Sequence, residues 1–125
     1  MGVLKKAAIC LPGILCMALS GAALATDGIS CTGIVSTIGV HGTDRVMLKL
    51  SGTNTVVQIC SLTSTMGTTY PISADQCKAD YATLLTAYTL GATIGVYFDN
   101  VATGTNCTNF AAWEVATARW VHLDQ

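Results

Sequence analysis

At 125 residues the chain is long enough for one domain with one core and too short for two. Hydrophobic residues make up 51% and charged residues 10%, with a formal net charge of −1 and a mean hydropathy of +0.54. These values exclude a disordered chain, a coiled coil and a basic nucleic-acid binder working through phosphate contacts.

The segment 1–25 reads as a signal peptide. Lys5 and Lys6 precede an apolar run from Ala7 to Leu19, and Ala23-Leu24-Ala25 is the small-x-small pattern that signal peptidase reads. The run is shorter than the roughly 20 apolar residues a membrane span needs, and Pro12-Gly13 interrupts it. Cys16 follows Ile14-Leu15 rather than small residues, which argues against lipidation. Cleavage after Ala25 is expected to leave a secreted or periplasmic domain over 26–125, without a membrane span. That domain keeps Arg45, Lys49, Lys78 and Arg119 against all seven acids, for a formal charge of −3. Cys10 and Cys16 leave with the leader. Cys31, Cys60, Cys77 and Cys107 remain and predict two disulfides, with three pairings open. A zinc site would need shorter cysteine spacings than these, so no metal is expected.

In chain order, 29–40 is rich in Ile, Val and Thr and predicts a strand, with Gly33 and Gly39 marking bends or bulges. A turn at His41-Gly42-Thr43 leads to a strand over 45–50, where Val46, Leu48 and Leu50 face one side and Arg45, Met47 and Lys49 the other. Ser51 to Asn54 turn the chain into a third strand over 55–61. Ser73 then predicts a helix N-cap, with Gln76 completing a capping box and Asp75 in the first turn. Cys77, Tyr81, Leu84, Leu85 and Tyr88 recur on one helical face, and Gly91 stops the helix after Leu90. A fourth strand is expected over 93–99, with Ile94, Val96 and Phe98 on one face and Tyr97 opposite. A fifth over 112–123 places Trp113 and Trp120 on opposite faces.

Three strands, a helix and two strands is the order of an OB-fold, so the expected class is mainly β: a five-stranded antiparallel barrel with its helix between strands three and four. In that layout the first strand runs antiparallel to the fourth, which sets Cys31 near Cys107. The end of the third strand likewise sets Cys60 near Cys77. The predicted pairing is therefore Cys31–Cys107 and Cys60–Cys77.

The runs D-G-I-S-C-T-G-I-V (27–35), L-L-T-A-Y-T-L-G (84–91) and I-G-V-Y-F-D (94–99) resemble the B subunit of subtilase cytotoxin and its relatives, which include pertussis-like and typhoid-like toxin B subunits. The resemblance implies an exported OB-fold protomer that forms a homopentameric ring and binds host sialylated glycans, with a possible enzymatic A subunit as partner. It implies that Asp27 and Thr32 supply the acid and the hydroxyl that contact sialic acid, although this chain carries one extra residue between Asp27-Gly28 and the hydroxyl. The family's pocket tyrosine falls at Phe98, which has no hydroxyl to offer. Ser36 and Thr37 follow on the same strand as further polar contacts.

Plainer readings compete at each position. Thr32 is an ordinary strand former, and Phe98 is barrel core with Tyr97 as the exposed aromatic. An exposed tryptophan suits either a subunit interface or a sugar platform. No catalytic motif is present, the two histidines lack partners at a suggestive spacing, and paired cysteines leave no nucleophilic thiol. The chain is thus not expected to be an enzyme, and no cofactor is implied. The alternative function is a stand-alone secreted or periplasmic OB-fold binder of a sugar or protein ligand. Nucleic acid fits poorly, because strands two and three carry only Arg45 and Lys49 and no aromatic. The sequon Asn106-Cys107-Thr108 is discounted, its middle residue being a bridged cysteine behind a bacterial-type leader.

Overall fold

The computed structural model describes residues 28–124; the leader and Asp27 lie outside the described residues. Five strands and one helix follow in chain order: β1 (Ile29–His41), β2 (Arg45–Leu50), β3 (Val57–Ser61), α1 (Ala74–Leu90), β4 (Thr93–Asp99) and β5 (Thr117–Leu123). All four ladders are antiparallel, and the order across the sheet is β3-β2-β1-β4-β5. The long β1 is shared, with Ile29 to Ile34 paired to β4 and Val35 to His41 paired to β2. The sheet's two ends meet just ahead of β5. There Gln58 and Val115 form a parallel bridge, the Gln58 N–H donating to the Glu114 carbonyl at 2.8 Å and the Ala116 N–H to the Gln58 carbonyl at 2.9 Å. A sheet rolled until its ends touch, with its helix between β3 and β4, is consistent with the expected OB-fold.

Period-two alternation builds the core. Val46, Leu48 and Leu50 of β2 and Ile94, Val96 and Phe98 of β4 are each at most 1% exposed. Burying such a side chain stabilises the fold by roughly 1.5–3 kcal/mol. Phe98, expected from the family resemblance to line a ligand pocket, meets Phe110 edge-on at 5.4 Å inside this core. At 0% exposed it offers no surface to a ligand. Both expected disulfides form: Cys31–Cys107, with Cα atoms 5.7 Å apart, and Cys60–Cys77, with Cα atoms 5.6 Å apart. Two disulfides are the mark of an oxidising, non-cytoplasmic compartment. Among the described residues, no helix is long and apolar enough to cross a membrane.

The helix begins and ends where expected. Ser73 Oγ accepts from the Gln76 N–H at 3.2 Å, and Gly91 closes the helix at φ 62°, a left-handed conformation that favours glycine. The reciprocal half of the capping box is diverted, because Gln76 Nε2 donates to the Arg119 carbonyl on β5 at 3.2 Å. That bond and the Cys60–Cys77 disulfide pin the first turns, and the buried face is Cys77, Leu84 and Ala87. The expected stripe is thus turned. Leu85 and Tyr88 are 38% and 52% exposed, while the Oδ2 of Asp80 is buried with no hydrogen-bond partner among the described residues.

The last strand also differs from expectation. It starts at Thr117 rather than 112, because Trp113 adopts φ 66° in a turn that no strand continues through. A bulge then interrupts the alternation: Tyr97 pairs with Trp120 and Phe98 with Ala118, leaving Arg119 as the extra residue. Trp113 and Trp120 consequently both face solvent, 53% and 61% exposed.

Candidate functional site

The bulge at Arg119 turns Trp120 out of the core and into line with residues from two other strands. Cross-strand pairing sets Ser30, Tyr97 and Trp120 in one row across β1, β4 and β5, and Thr32, Gly95 and His122 in the next. Side chains directly opposite one another on a pleated sheet share a face. Gly95 is the low point of the second row. The His122 imidazole lies over it, so closely that a Cβ at position 95 would strike the ring. Trp120 packs against His122 with ring centroids 4.5 Å apart and planes tilted by 31°. The buried Nδ1 of His122 has no hydrogen-bond partner among the described residues.

Arg119 closes one side of this strip. Its guanidinium lies 3.8 Å from the centre of the Tyr70 ring and 4.5 Å from that of Tyr97. Its Nε is 3.0 Å from Oδ2 of Asp99, a carboxylate only 2% exposed. Burial pushes the Asp99 pKa up and Arg119 pulls it part of the way back. For Arg119, burial opposes the charge, and Tyr70 and Asp99 more than offset it, so its pKa is raised. Tyr70 is brought here by a loop that Asn100 holds. Asn100 Oδ1 accepts from the Thr68 and Thr69 N–H groups, each at 3.1 Å, and its Nδ2 donates to Thr117 Oγ1 at 2.6 Å.

The expected contact residues divide. Thr32 is exposed on β1 within the strip, in the row of His122. Asp27 lies outside the described residues. Ser36 is exposed at the β1 bulge between Val35 and Thr37, and its Oγ donates to the Lys49 carbonyl at 3.1 Å. Thr37 lies beyond it on the β1–β2 half of the surface, away from the strip. Tyr70, Arg119 and His122 were not predicted as contacts. Tyr97 was legible by alternation, but the bulge that brings Arg119 and Trp120 beside it leaves no mark in the composition of β5.

The strip combines flat aromatic faces, a hydroxyl, an imidazole and a charge-balanced guanidinium. That set can stack on the C–H face of a ring and hydrogen-bond at its edge. Among the described residues, no three or more His, Cys, Asp or Glu side chains converge on a metal position. No family model, curated protein or solved structure matches the chain.

Proposed function

We propose that the outer face of β1, β4 and β5 binds a sialylated glycan and that the chain is the receptor-binding subunit of a toxin-like assembly, exported and homopentameric. The observation that carries this reading is the double row that sets Thr32 and His122 on either side of Gly95, and Tyr97 beside Trp120. An aromatic platform takes the apolar face of a sugar, while Thr32, His122 and Arg119 offer hydrogen-bonding groups to a carboxylate and hydroxyls. Asp99 balances the charge of Arg119. The carboxylate is then met by donors rather than by a net positive site, and several weak sites on one ring supply avidity. The resemblance at 27–35 supports the same face, since Thr32 stands where that family places its sialic-acid hydroxyl. Self-assembly is supported by the second half of α1, which carries no charged residue from Tyr81 to Leu90 and exposes Leu85, Tyr88 and Leu90. An enzymatic A subunit is the partner such a ring would carry.

Two measurements test this. A glycan array on the mature protein should show binding to sialosides that falls about tenfold in Thr32→Ala and Trp120→Ala at unchanged melting temperature. Light scattering should give roughly five times the protomer mass. Absence of sialoside binding sinks the glycan reading; a monomer that binds sugars sinks the ring and leaves a stand-alone binder.

A further inference from the structure

Across the outer surface from the strip, Thr37, Gly39, His41, Met47, Val56 and Trp113 line a second concavity of about 200 Å3. It follows from one backbone feature. Trp113 holds φ 66°, a left-handed conformation that costs a bulky residue on the order of 1–3 kcal/mol. Its neighbours over-determine that conformation. The Trp113 N–H donates to the Val56 carbonyl at 2.9 Å, and its own carbonyl accepts from Gln58 Nε2 at 2.7 Å. Glu114 Oε1 ties back to the Ala111 N–H at 2.7 Å. The backbone that carries the indole is thus fixed, and the ring is tilted against His41 at 5.1 Å and 53% exposed. Met47 points outward from β2 yet is only 5% exposed. Opposite Met47 in the ladder stands Gly39, where an added Cβ would meet nothing within 4 Å.

We propose that this groove is a second carbohydrate site, taking one neutral pyranose ring stacked by its C–H face on Trp113. Its volume falls below the roughly 300–1,000 Å3 of sites for drug-sized ligands, which fits a single ring better than an acyl chain or a peptide. No carboxylate, ammonium or guanidinium lines it, so the ligand carries no charge. The Thr37 hydroxyl and the His41 imidazole edge an otherwise apolar lining, and neither hydrogen-bonds to a described residue. A purely apolar ligand would leave both unused, whereas a sugar ring presents hydroxyls at its edge and C–H groups on its face. The missing side chain at Gly39 is the space the ring occupies. This site is independent of the strip, whose ligand is acidic.

The test is a titration of the disulfide-intact mature protein with methyl β-galactoside, methyl α-glucoside and methyl β-N-acetylglucosaminide. The indole N–H resonances are followed by NMR and assigned with Trp113→Phe and Trp120→Phe. A saturable shift of the Trp113 signal with at least one probe, with a Kd on the order of 1 mM, is the expected result. Gly39→Val, which fills the groove, should weaken binding about tenfold, as should Trp113→Ala. If Gly39→Val loses the native circular dichroism spectrum, Thr37→Ala with Trp113→Ala replaces it. The proposal is overturned if no probe gives a saturable shift, or if binding survives loss of the indole. It is equally overturned if the Trp113 signal moves with protein concentration and not with sugar, which would make the groove a contact between copies of the chain.

Discussion

The two exposed tryptophans of this small barrel reach the surface by different physical routes. Trp120 is placed by strand register: a single-residue bulge reverses the alternation, and the ladder to Tyr97 then holds the ring in line with its neighbours. Trp113 is placed by a left-handed turn clamped by hydrogen bonds to Val56 and Gln58. The first ring is held by regular structure and the second by a local exception to it. Similar exposure therefore hides different dependence on the rest of the fold, and substitutions should separate the two.

The largest separation should come from the long disulfide. Cys107 sits in the connection between β4 and β5 that delivers Trp113, and its bond to Cys31 closes a sequence separation of 76. Replacing both cysteines by serine should lower stability by about 4 kcal/mol in urea melts. Amide exchange should accelerate most over 100–116, and equal loosening of the β4–β5 ladder would break the comparison. Next is Gly95→Ala, whose methyl group must displace the His122 ring. A loss of roughly 1–3 kcal/mol is expected, with the Trp120 indole signal shifted and that of Trp113 unmoved. Glycine at each tryptophan then gives a contrast in size. Trp120→Gly should destabilise by roughly 1 kcal/mol, as glycine does inside a strand. Trp113→Gly should change stability by less than about 1 kcal/mol, because relief of the left-handed strain offsets the lost contacts.

A further effect of similar size depends on pH. Burial pushes the Asp80 pKa up to about 6. The native state therefore binds a proton more readily than the unfolded chain, and stability falls as pH rises from about 4 through about 6. Asp80→Asn should raise the melting temperature above pH 6, by about 1 kcal/mol in stability after allowance for solvent screening, and leave it unchanged at pH 4. An increase that persists at pH 4 would assign the effect to packing rather than ionisation.

These details mark where sequence reading stops. The helix ends were legible because Ser73 and Gly91 act through local geometry, and the cysteine pairing was legible because antiparallel topology fixes which strand ends meet. The helix rotation was not legible. Tyr88 and Leu85 make a better apolar stripe than Ala87 does, but the Cys60–Cys77 bond and the reach of Gln76 to β5 decide which side is buried. The strip was half legible. Thr32 and Tyr97 follow from period-two alternation, while Arg119, Trp120 and His122 depend on a bulge whose position is set by pairing with β4. Met47 was missed as well: its parity is outward, yet it is only 5% exposed, beside the β2–β3 register shift between Val46 and Met47 and in the groove that Trp113 also lines.

The shared strand β1 has a further consequence. Thr32 and Thr37 belong to different halves of the outer surface but to one continuous strand, and a rise of about 3.3 Å per residue sets them roughly 16 Å apart. Pairing on both sides makes that strand a ruler. If the two proposed sites each take a sugar, an oligosaccharide whose two arms reach both must branch to match its length, and the second arm would bind at the high effective concentration of an intramolecular step. Preference for one branching geometry over another would be set by the span of a strand rather than by the chemistry of any side chain.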